Sequence, residues 1–260
     1  MPTTSRGEQK GAQPDREGPL HTGLVLVGLL LLWLALHGSA SVLGSLRGEW
    51  GLLVAALVLI VAVVWESLIG GSSFAKAATS LGLKTPALYP LLGAVAVSAA
   101  LICVLPLCRF FFGTPIVVTP SWYVYVPGLL AQAGIAEEVV FRGYLFRHFR
   151  RGRSFWRAAL LSALPFVLVH LLLFATLDAM VALASLALAL SLSFPLAWIF
   201  EASGNSIWPP AVVHFVVQGA IKLVEIPGPD FLPIVTIWML AGAVLPWILI
   251  LVPPRPARAP

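Results

Sequence analysis

Charge is what this sequence has least of. Charged residues fill 10% of its 260 positions and apolar types 59%, whereas roughly a quarter of an ordinary soluble domain is charged. The mean hydropathy is +0.96. So few charges cannot cover so much apolar surface in water, which excludes a soluble domain and leaves a polytopic membrane protein. Cysteine is scarce as well. Cys103 and Cys108 share one apolar segment, at a spacing that matches no zinc pattern and suits no disulfide. Both read as small apolar residues. The sequence also lacks an HExxH run, an internal repeat and the alternation of a membrane barrel.

What it has instead is long apolar runs. About 20 apolar residues carry a helix across hydrocarbon, and spanning backbone must satisfy its own hydrogen bonds, which forces helices. Eight spans are expected, over 22–45, 51–70, 89–108, 122–142, 158–176, 180–200, 207–224 and 232–252. The predicted fold class is therefore an all-α polytopic bundle. A polar leader over 1–20 precedes three N-terminal spans within 21–119. Five spans within 120–253 follow, and a short basic tail over 254–260 closes the chain. The first apolar run is longer than a signal-peptide core and reads as a retained span.

Basic residues set the orientation. Of the 16 Lys and Arg residues, all but Arg47, Arg109 and Lys222 fall on the side that eight spans give to both termini. Both termini are thus expected in the cytoplasm, and the net charge of +5 follows from the same bias. The run from Arg147 to Arg153 reads as a juxtamembrane cluster facing anionic lipid, and no nucleic-acid partner is expected.

Ionisable groups within spans are functional candidates. Here they are Glu66, Glu137, Glu138, Arg142, His170 and His214, with His37 apart in the first span. Glu66 follows Trp65 and reads as an interfacial residue; His37 reads as a satisfied buried histidine. Taking 1.5 Å per residue, Glu137, His170 and His214 lie about 15, 20 and 14 Å from the basic rim, near the middle of a core about 30 Å thick. Three helices thus bring polar groups to one level, where each finds a partner. Glu138 and Arg142 are i,i+4 neighbours and can pair, which leaves Glu137 for chemistry. Phe166 lies one turn from His170, and Gln218 one turn from His214.

A carboxylate and a histidine can hold and deprotonate water; a second histidine and an amide can donate to a developing oxyanion. Those parts suit peptide hydrolysis without a covalent intermediate. A zinc ion on Glu137, His170 and His214 is the alternative.

The segments "EEVVFR", "FVLVH" and "NSIWPPAVVHFVVQ", in that order on three spans, resemble the three motifs of the CPBP intramembrane proteases. That family includes the type II CAAX prenyl endopeptidases and bacterial relatives linked to bacteriocin processing, immunity and protein sorting. The resemblance covers roughly residues 120–225. It implies a catalytic Glu137 that activates water with His170, an oxyanion site at His214, and support from Glu138, Arg142 and Phe166. It implies no metal cofactor. Gln218 stands where an asparagine is more usual, which moves the amide by more than an ångström. A bacterial, multi-pass protein of the inner (plasma) membrane is expected, acting on a membrane-associated peptide or protein tail. Two other readings remain: a non-catalytic immunity or scaffold factor on the same fold, and an ion- or proton-coupled transporter, which needs a polar route through both faces.

Overall fold

The computed structural model describes residues 18–44, 48–176 and 178–253. The basic tail expected over 254–260 lies outside them, as does the polar leader up to residue 17. Gly18 caps the first helix, whose first turn carries Pro19, a residue that loses nothing there because that backbone N–H has no helical partner.

Nine helices follow among the described residues: α1 Pro19–Leu43, α2 Gly51–Gly70, α3 Phe74–Ser80, α4 Leu88–Phe112, α5 Trp122–Arg150, α6 Phe155–Ala175, α7 Ala179–Ala202, α8 Trp208–Gly219 and α9 Phe231–Leu251. Strands β1 (Val117–Val118) and β2 (Val224–Glu225) form a small antiparallel ladder, with Val117 opposite Glu225. The chain is an all-α, multi-pass membrane bundle.

Among the described residues, seven helices are long and apolar enough to cross a bilayer. The eighth expected span, 207–224, is not one of them, because α8 has only 12 residues. Pro209 and Pro210 open it, and after Gly219 the backbone tightens into a 3-10 turn, Ala220–Leu223. Helix and turn together rise roughly 26 Å. They still join the two ends of the bundle. At the start of α8, Ile207 N–H donates to Gly82 O (3.1 Å) and Ser206 Oγ to Lys84 O (2.8 Å), in the loop before α4. Past the turn, β2 pairs with β1, which follows α4. Eight segments therefore run between the same two ends, and α1 begins at the end where α9 finishes. The contacts of His21 with His148 (3.3 Å) and of Trp198 with Val252 O (2.9 Å) mark that shared end.

α5 is the central helix: 56% of its apolar window is buried, against 17–33% in the other six. Its Val139, Val140, Tyr144, Leu145 and Phe146 are fully or almost fully buried, between α1 and α2 on one side and α6 and α7 on the other. A second core joins α4, α7, α8 and α9 around Trp238. Two glycines let backbones touch α5. A Cβ at Gly128 would overlap the Gly48 carbonyl, and one at Gly143 would overlap the Leu81 carbonyl. Gly143→Ala should destabilise the bundle by about 1–3 kcal/mol, since backbone atoms cannot rotate aside as side chains do. Thermal unfolding of the purified variant checks this; an unchanged midpoint contradicts it.

Glu66 lies at the basic end, as expected, but inside the bundle. It is 5% exposed and accepts from Arg147, from His148 (3.0 Å) and from Ser80 (3.3 Å). Beside it, Tyr144 Oη donates to Val25 O at 3.1 Å and accepts from Trp65 at the same distance. This cluster fastens α1 and α2 to the basic end of α5, below the catalytic candidates.

Candidate active site

The glutamate pair lies where α5 is not an ordinary helix. Widened, π-helical turns cover Leu130–Ala136 and Val139–Phe146, so Glu137 and Glu138 sit between two of them. Such turns are frequent at functional sites. Arg142 still reaches back one turn, and its Nη1 donates to Glu138 Oε1 at 2.8 Å. Both side chains are buried, at 3% and 0% exposure. The expected pairing is therefore present, with an addition. Nδ1 of His214 meets the same Glu138 Oε1 at 2.6 Å.

That contact settles how His214 is held. A carboxylate requires the proton on Nδ1, which leaves Nε2 as the lone-pair nitrogen of the neutral ring. Nε2 accepts from the Gln218 amide at 2.8 Å, and the amide's other hydrogen points to Glu137 Oε2 at 3.4 Å. Glu137 Oε2 lies 3.5 Å from His214 Nε2. The methylene that Gln218 adds over asparagine thus lets one amide bridge histidine and glutamate, one turn after His214.

His170 is placed differently. Its Nδ1 lies 2.7 Å from Phe166 O one turn earlier, so Nδ1 carries the proton and Nε2 the lone pair. Among the described residues it makes no hydrogen bond to Glu137, His214 or Gln218. Phe166 separates these groups: its ring centroid is 4.8 Å from that of His170 and 6.0 Å from that of His214, with the Arg142 guanidinium 5.3 Å away. α6 ends at this point in a 3-10 turn, Leu171–Ala175. What His170, Glu137, His214 and Gln218 share is a cavity of about 730 Å³. Phe141 and Phe166 form part of its floor, packed edge-on with centroids 4.6 Å apart. Toward the basic end, below that floor, Phe146 packs against Phe155 and Phe200.

Residues 118–220 match the family model of the type II CAAX prenyl endopeptidase Rce1-like proteins. This region is Rce1-like. It runs from β1 through α8 and holds Glu137, Glu138, Arg142, Phe166, His170, His214 and Gln218. The match is to a family of CAAX-type intramembrane proteases. No curated protein and no solved structure matches the chain.

The Rce1-like region does not supply the whole cavity wall. His37, from a π-helical turn of α1 at Leu34–Gly38, lines it in an exposed position with its ring stacked on Trp33 (centroids 5.2 Å apart), contrary to its expected burial. Lys222 lines it too, one turn past Gln218. The i,i+4,i+8 stripe His214, Gln218, Lys222 is visible in the sequence, where Lys222 counts only toward charge bias. Among the described residues, no three His, Cys, Asp or Glu side chains are grouped to hold a metal ion. Both nitrogens of His214 face partners, and among the described residues His170 makes no hydrogen bond or ion pair with Glu137 or His214.

Proposed function

We propose that the chain is an intramembrane endopeptidase of a bacterial plasma membrane, cutting a peptide bond in a membrane-associated peptide or protein tail. The observation that carries this is the single cavity onto which Glu137, His170, His214 and Gln218 all open. Water beside Glu137 gives its proton to the carboxylate while its oxygen attacks the peptide carbonyl. Nε2 of His170, free to accept, holds the second hydrogen of that water. Glu137 then returns the proton to the leaving nitrogen as the C–N bond breaks, giving a carboxylate and an amine.

The Gln218 amide, released from Glu137 once that carboxylate is protonated, donates to the carbonyl oxygen as it gains charge. His214 can join it there only after Nε2 takes up a proton. Glu138 and Arg142 act through His214, fixing its ring and tautomer, and are positioning residues.

Comparing protein termini in membranes from cells with the wild-type chain and with Glu137→Gln tests the reading. New termini present only with the wild type are expected; identical sets overturn it. The proposed chemistry uses no metal. Cleavage should therefore survive chelation, and one tightly bound zinc whose removal abolishes cleavage would replace it with the zinc reading.

A further inference from the structure

The two ends of the bundle differ sharply in charge. One carries Lys76, Lys84 and the arginines from Arg147 to Arg157, offset by Glu66 and Glu201. Among the described residues, the other carries Glu49, Asp178, Glu225 and Asp230 against Arg109 and Lys222. The cavity is not symmetric between them. Its inner wall is buried: Phe141, Phe166, His214 and Val217 are all at or below 4% exposure. Its exposed lining residues are His37, Ser41, Leu172, Ala175, Thr176 and Lys222.

Each of these exposed residues lies near the acidic end of its own segment. α1 stops at Leu43, the 3-10 turn of α6 at Ala175, and the turn after α8 at Leu223. The cavity is thus closed toward the basic end, where the Phe146 layer lies, and opens toward the acidic one.

Basic ends of membrane bundles stay in the cytoplasm. We propose that the cavity is reached from the extracytoplasmic side, so that its substrate class is a peptide segment presented there: a tail or juxtamembrane stretch of an exported or membrane-anchored protein. This rests on the endopeptidase reading for the word substrate, but the side of access rests on charge and exposure alone. The mouth agrees with such a guest. It sets polar groups at His37, Ser41 and Thr176 and one cation, Lys222, beside apolar Leu172 and Ala175, and Lys222 has no hydrogen bond or ion pair among the described residues.

The test is cysteine labelling. In a background with Cys103→Ser and Cys108→Ala, the mouth variants Ser41→Cys and Thr176→Cys sit on different helices, and Lys76→Cys marks the basic end. Intact bacterial host cells and inside-out membrane vesicles are treated with a membrane-impermeant maleimide. Labelling of both mouth positions in intact cells, and of Lys76→Cys only in inside-out vesicles, is expected. Mouth positions that label only in inside-out vesicles, or on neither side before denaturation, overturn the proposal.

Labelling needs no catalysis, so it separates this proposal from the protease reading. Termini that depend on Glu137 must also map to extracytoplasmic segments. If they map to cytoplasmic ones, the substrate class falls while the protease stands. If there are none, the protease reading falls while the side of access is still decided by the labels.

Discussion

Replacing Glu137 with Gln is expected to slow cleavage about 10²- to 10⁴-fold, the usual worth of a positioned general base. Gln matches glutamate in shape but cannot take the proton from water. The loss should fall on kcat, with KM little changed, because the carboxylate acts on the transition state more than on bound substrate. Folding should survive the change. Glu137 is 17% exposed and faces the cavity, unlike the fully buried Glu138, and the new glutamine can keep its amide oxygen toward the Gln218 amide. Kinetics on purified protein with a peptide found by the termini comparison give the answer, with the unfolding midpoint as control. Wild-type turnover in a folded variant removes Glu137 from the chemistry.

Much of this architecture was legible because hydrocarbon allows so few solutions. Runs such as 51–70 had to be helices, and the placement of Lys and Arg implied an even number of crossings. α8 escaped the length argument. Gln218 and Lys222 lie on it or just after it, and its double proline and early 3-10 turn shorten the crossing in a way composition does not encode. Depth alone put Glu137, His170 and His214 on one level, and i,i+4 spacing paired Glu138 with Arg142; the three do line one cavity and the pair is present. The other partners were not legible, since a reading at 1.5 Å and 100° per residue assumes α-helix, and α5 widens into π turns on both sides of the glutamates. In the structure Glu138 serves His214 as well as Arg142, and His214 Nε2 lies 3.5 Å from Glu137. The burial of Glu66 was missed for a related reason. Its partners Arg147 and His148 are some 80 positions away, and no local pattern joins them. The transporter alternative needs a polar route through both faces, whereas the aromatic layer of Phe146, Phe155 and Phe200 closes the basic end.

Arg142→Met should cost about 3–5 kcal/mol of stability, the usual penalty for removing one partner of a buried ion pair. Met fills the space of the Arg stem, so the loss reports charge more than volume. One oxygen of Glu138 serves both Arg142 and His214, while Oε2 is buried without a partner among the described residues. Without the guanidinium, the carboxylate would keep a single imidazole contact in a place where water cannot help. Combining Arg142→Met with Glu138→Gln removes the orphaned charge. The double variant should then lose less than the sum of the two single changes, by about 0.5–3 kcal/mol. Unfolding of the four proteins in detergent measures that coupling. A strictly additive cycle, or an Arg142→Met protein within about 0.5 kcal/mol of wild type, would mean that the pair does not hold His214 in place, and the orientation of its ring toward Glu137 would then need another cause.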